Sequence, residues 1–178
     1  MRKIMLIIYI ILGFIGLILV IAAFTGKDYT IQREIVINKP DSTVYEYLRY
    51  LKNHKNFNAW FLKDPNMKES FKGTDGQIGF VYAYEGNKEV GAGEQELMSL
   101  APNKSVGIEL RFLKPFKTVS TTPFDLEALG LSQTKVKWTM NGQMNYPINI
   151  SLLFVNMNSF LGKDVQKSLE NLKQKLEK

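Results

Sequence analysis

A chain of 178 residues, 45% hydrophobic and 22% charged, has room for one domain and the composition of a folded protein. It has no cysteine and one histidine, His54, which excludes disulfide frameworks, thiolate zinc sites, cysteine nucleophiles and His-His-carboxylate metal sites. The net charge of +6 is mild, and no basic stripe interleaves with aromatic residues, so nucleic acid is not an expected partner.

Ile4 to Phe24 is 21 consecutive residues without a charge, IMLIIYIILGFIGLILVIAAF. As a helix it spans roughly 30 Å, the hydrocarbon thickness of a bilayer. Arg2 and Lys3 precede it, while Lys27 and Asp28 follow and nearly cancel. The positive-inside rule then puts the N-terminus in the cytoplasm and the rest outside, in a periplasm or at a cell surface. A cleaved signal peptide is the rival reading, and its apolar core would be shorter, about 7–15 residues. Inverted topology is the third. Gly13 and Gly16 are three apart, not the four of a GxxxG motif, so helix dimerisation is unsupported. The linker Thr25 to Asp28 reaches at most ~14 Å when extended, which holds the following domain against the membrane.

Residues 29–38 are rich in β-branched residues, with Ile31, Ile35 and Ile37 on one face, and read as a strand that Pro40 ends. Asp41 or Ser42 is a candidate helix cap, and Thr43-x-x-Glu46 is a formal capping box. Val44, Tyr47, Leu48 and Leu51 then predict an amphipathic helix of about three turns. A second helical piece is expected over 53–61, stopped at Asp64-Pro65. His54, among Lys52, Asn53 and Lys55, reads as a solvated loop residue.

From Met67 to Asn141 turn signals separate the runs IGFVYAYE, KEVGAGEQELMSL, SVGIELRFL, KTVSTTPFDLEAL and QTKVKWTMN. Their spacing predicts an antiparallel meander of long strands. Gly91 and Gly93 mark a bulge or bend. Glu94 and Glu96 share one strand face, as do Glu109 and Arg111. An exposed charge ladder is the plain reading of these four. A bulge could instead turn Glu94 inward to pair with Arg111 near a ligand head group. The chain from about 150 to 177 is read as helical, with the stripe Leu161, Val165, Leu169, Leu172 and Leu176. Residues 163–178 hold five lysines and three acids, interleaved as on a solvated face.

This order resembles the helix-grip fold. IVINKPDSTVYEYL at 35–48 resembles that fold's first strand, proline and helix. WFLKDP at 60–65 resembles the close of its helical pair. GNKEVGAGEQEL at 86–97 and RFLKPF at 111–116 resemble its central hairpins. TKVKWTMNG at 134–142 resembles the last strand, and LGKDVQKSLENLKQKLE at 161–177 the closing helix. Residues 29–178 thus look like the START-like (SRPBCC) superfamily, in its bacterial polyketide cyclase/dehydrase and lipid-transport branch. Residues 1–28 form an anchor and linker. The resemblance implies an α+β fold with a curved antiparallel sheet of about six to seven strands around a long C-terminal helix. It also implies a bacterial source.

A bent sheet gripping a helix leaves an apolar space between them. The expected lining is Phe80, Tyr82, Tyr84, Glu94, Leu110, Arg111, Phe112, Trp138 and Met140 on the strands, and Phe154, Met157, Phe160 and Leu161 on the C-terminal side. A one-residue slip would swap the faces. No catalytic residue, metal or cofactor is expected. The expected partners are a hydrophobic small molecule or lipid and the membrane. The alternatives are a non-enzymatic interaction module of the co-chaperone type and a cyclase/dehydratase-like enzyme on an apolar substrate.

Overall fold

The computed structural model describes residues 2–115 and 117–178. Phe116, the end of the RFLKPF motif, and Met1 lie outside the described residues. The apolar run forms helix α1 (Arg2–Phe24), whose side chains are exposed apart from buried Ala22 and half-buried Ile18. Among the described residues it is the one helix long and apolar enough to cross a membrane.

Eight strands form one antiparallel sheet: β1 (Asp28–Ile37), β2 (Lys68–Lys72), β3 (Val81–Glu85), β4 (Ala92–Ala101), β5 (Ser105–Lys114), β6 (Thr118–Thr121), β7 (Phe124–Ala128) and β8 (Thr134–Gln143). Their order is β1-β8-β6-β5-β4-β3-β2, with β7 also pairing β5 and β8. The run 117–129, expected as one strand, is thus two. Pro123 has no N–H for the ladder and breaks it, yet β6 and β7 occupy the same slot between β5 and β8. β2 went unread because KESFK is mostly polar and exposed, an edge strand with little alternation to reveal it. Register shifts fall at Ala92/Gly93 and Leu97/Ser99, and Gly91 has φ +71°, so the expected bend near the two glycines is present.

Helix α2 (Asp41–Leu48) has two turns rather than three. Its N-cap is Pro40, without a side-chain cap, so the Thr43–Glu46 capping box does not form. The Pro40 carbonyl accepts from the Thr43 and Val44 amides instead. The expected second helix is a pair of 3-10 turns, Leu51–Asn56 and Phe61–Lys63. Asp75 begins the first of these turns, accepting from the Leu51 N–H at 2.8 Å. The C-terminal helical region is three pieces: a 3-10 turn at Ile148–Leu153, α3 (Met157–Phe160) and α4 (Gly162–Glu177).

Helix α4 lies in the grip of the sheet. Val165, Leu169 and Leu172 are fully buried, and Leu161 and Leu176 pack partly against the same core. Ser168 joins that face. Its hydroxyl accepts the Ala59 N–H at 2.8 Å and donates to the Asp164 carbonyl at 2.7 Å, which ties α4 to the 3-10 pair. Ser168→Ala leaves a buried amide without its acceptor. The expected loss is about 1–3 kcal/mol of unfolding free energy, read from a urea titration.

His54 is buried, not solvated as its polar neighbours suggest. Its ring lies 5.1 Å from that of Phe57 and 5.7 Å from that of Phe124, between centroids. Nε2 donates to the Leu48 carbonyl at 2.8 Å.

Candidate functional site

A cavity of about 340 Å³ lies between the concave sheet face and the helical elements. Alternation along the strands supplies its floor: Leu110 and Phe112 from β5, Trp138 and Met140 from β8, Tyr84 from β3 and Gln95 from β4. Asn58 and Trp60, from the segment joining the two 3-10 turns, and Phe61, which opens the second, form one wall. Phe160 and Leu161 form the other. Tyr29, Val90, Lys114, Pro115 and Thr118 complete the lining, and Lys114, Pro115 and Phe160 are solvent-exposed at its mouth.

Most of this wall is carbon. Three polar groups interrupt it deep inside: Asn58, Gln95 and Thr122, each at least nine-tenths buried. Thr122 points inward at the break before Pro123, and its Oγ1 accepts the Trp138 Nε1–H at 2.5 Å. Asn58 Oδ1 accepts the Trp60 N–H. Gln95 Oε1 is buried without a hydrogen-bond partner among the described residues, although the side chain lies against the His54 imidazole. A buried, unpaired amide oxygen is costly unless something donates to it, so the site suits an apolar body carrying a hydroxyl or amine. The ionisable lining groups are Tyr29, Tyr84 and Lys114. Burial pushes the Tyr84 phenol up to about 12, so it stays protonated at neutral pH. Lys114 at the mouth pairs with Glu85 at 2.6 Å.

Of the residues expected to line this space, Tyr84, Leu110, Phe112, Trp138, Met140, Phe160 and Leu161 do so. Phe80 and Tyr82 face the same side of the sheet but lie farther along, where the core is closed. There Phe71 stacks on both rings, and the Tyr82 hydroxyl donates to Glu69 at 2.8 Å. Met157 is buried away from the cavity, and Phe154 is 82% exposed.

Glu94 and Arg111 are on the outer face. The shift at Ala92/Gly93 precedes Glu94, so parity from there runs normally and Gln95 takes the inward position. Arg111 gathers three carboxylates outside, with Glu94 at 3.0 Å, Glu96 at 2.7 Å and Glu109 at 2.7 Å. The hydrogen bonds to Glu109 and Glu96 raise its already high pKa further. This is the cross-strand charge ladder, not a ligand contact.

Sequence reasoning missed Gln95, Thr122 and Asn58 because polar residues on a strand or turn read as outward-facing. It missed Trp60 and Phe61 as lining because no helical periodicity aims them. The WFLKDP motif marked their place in the fold but not their role.

No family model and no curated protein matches the sequence. Solved structures do match the fold. A protein from Chromobacterium violaceum aligns with a TM-score of 0.60 at 14% identity, over 84% of this chain and 97% of its own. Truncated norcoclaurine synthase from Thalictrum flavum aligns with a TM-score of 0.64 at 8% identity, over 84% and 94%. The same synthase in complex with dopamine and hydroxybenzaldehyde aligns at 0.59 and 9%, over 86% and 91%. At these identities the likeness speaks for the fold. The architecture is an α+β helix-grip fold, with an apolar helix in front of it.

Proposed function

We propose that this protein is a membrane-anchored START-like domain that holds a hydrophobic small molecule or lipid between its sheet and C-terminal helix. The observation that carries the reading is the cavity of about 340 Å³, walled by aromatic and aliphatic side chains around the unpaired Gln95 Oε1. The complex of a like-folded protein with dopamine and hydroxybenzaldehyde supports it. Helix α1 serves as the anchor, with the N-terminus in the cytoplasm and residues 29–178 outside. Tethering keeps the cavity beside a reservoir of apolar ligand and raises its effective concentration.

The two tryptophans of the chain, Trp60 and Trp138, both line the cavity, so occupancy has an intrinsic reporter. Brominated fatty acid added to the full-length chain in mild detergent is expected to quench them saturably at one site. Leu110→Phe, which fills part of the space, is expected to weaken that uptake about tenfold. Organic extraction of the purified chain should yield a stoichiometric apolar molecule. No extracted molecule, together with quenching that never saturates or ignores Leu110→Phe, would refute the reading.

A further inference from the structure

Residues 141–162 carry no charge over 22 positions, in a chain that is 22% charged. They run from the end of β8 through the 3-10 turn and α3 to the start of α4. Three of their asparagines are engaged within the protein. Asn149 is fully buried, Asn156 caps α3 by accepting from Ser159 N–H, and Asn158 accepts from Arg33 at 2.6 Å. Several large apolar residues face out, while Met157 is buried and Ile150 and Leu152 are half-buried. Phe154 is 82% exposed and Phe160 67%, and Tyr146, Ile148 and Leu153 are exposed beside them. Such an apolar surface on one short segment marks a contact with something other than water.

The structure also indicates what covers it. Asn149 Nδ2 donates to the carbonyls of Ala22 at 2.7 Å and Thr25 at 2.9 Å. The Met144 amide donates to the Lys27 carbonyl at 2.8 Å. The segment is therefore clamped to the last turn of α1, at the depth where that helix would leave the hydrocarbon. An uncharged stretch with outward Tyr, Phe, Ile and Leu is the composition that settles at a membrane–water interface. Exposed Lys27, beside exposed Asp28, and exposed Lys163 flank it.

We propose that residues 146–160 are a second membrane contact, an interfacial loop in the leaflet from which α1 emerges, and that it turns the cavity mouth toward the acyl chains. Phe160 belongs to both surfaces, outward on the loop and inward on the cavity wall. Tyr29, four residues after Thr25, lines the cavity at the same end. A ligand then passes between bilayer and cavity without crossing water, and an acyl-chain lipid is the class this geometry admits. The inference rests on the anchor reading of α1, and the experiment separates the two.

Because the chain has no cysteine, single-cysteine variants label uniquely. The full-length chain would carry an environment-sensitive fluorophore at Phe154→Cys, Leu153→Cys, Ile11→Cys or Leu131→Cys. Each is reconstituted in vesicles of phosphatidylethanolamine and phosphatidylglycerol with brominated acyl chains. Leu131 is 96% exposed but follows β7, at the far end of β8, about 30 Å along that strand. The expected result is quenching at Phe154 within about twofold of that at Ile11, and none at Leu131. Phe154→Asp, at so exposed a position that folding is spared, should lift the Leu153 label out of reach. Quenching at Ile11 without quenching at Phe154 overturns the loop contact and leaves the anchor standing, pointing to a protein partner for the patch. No quenching at either position overturns both.

Discussion

Trp138→Ala is expected to cost about 3–5 kcal/mol of unfolding free energy, a large share of what a domain of this size possesses. Trp138 is almost fully buried on β8, and its ring stacks on Phe124 with centroids 4.7 Å apart. Its Nε1–H is the hydrogen-bond partner of the inward Thr122 hydroxyl. Truncation therefore removes the stack, opens a void that joins the cavity, and strands a buried hydroxyl. Trp138→Phe restores most of the stack but not the hydrogen bond, and should recover all but about 1–2 kcal/mol. Urea unfolding of the full-length chain in mild detergent measures both. If alanine costs less than the phenylalanine variant, the ring is not part of the core as described.

Stability should fall as the pH drops from about 6.5 toward 4, by about 3 kcal/mol in total, through His54 alone. Burial depresses this imidazole to about 4, opposed by the hydrogen bond to the Leu48 carbonyl, by the charge of Asp75 and, least, by the polar contact of the neutral Gln95 amide. In the unfolded chain the group takes a proton at its ordinary value near 6.5. Between these values the unfolded state binds the extra proton, so acid favours unfolding. Above 6.5 both states are neutral and the contribution is complete. His54→Gln keeps a donor for the Leu48 carbonyl and cannot titrate. Its urea midpoint should lose this acid dependence while differing little at neutral pH. A variant with the same acid slope as the parent chain would show that His54 is not held neutral in the fold.

His54 also shows why a site can hide in plain sequence. Lys52, Asn53 and Lys55 around it are polar, and they mask its place three residues beyond Leu51 on the apolar stripe. The segment is a 3-10 turn, in which residues three apart eclipse. Leu51, His54 and Phe57 then fall on one buried face. A period of three is legible only after one knows that the turn is 3-10, and that depends on the Asp75 side chain contributed from 24 residues away.

The strands were easier. Leu110 and Phe112, and Trp138 and Met140, are alternate residues in runs with clear alternation, and they reach the same cavity from β5 and β8. Gln95 and Thr122 break that logic. Each is a polar residue at an inward position, where hydropathy argues for the opposite face. The Thr122 orientation follows from Pro123, which interrupts the ladder between β6 and β7.

By itself the sequence determined the local and the ordinal. It set the 21-residue apolar helix, the β-branched and aromatic strands, the glycine bend at 91–93, the heptad-like stripe of α4, and the order of elements that resembles a helix-grip fold. These depend on side-chain period and backbone preference over a few residues. Tertiary structure decided between the exposed charge ladder that the sequence suggested and the inward pairing of Glu94 with Arg111, because parity turns on where the bulge falls and on which strand it is paired against. It alone decided that a cavity exists and that Asn149 clamps the end of α1. Both arise where chain segments separated by scores of residues meet, and the space left between them depends on how far the sheet bends.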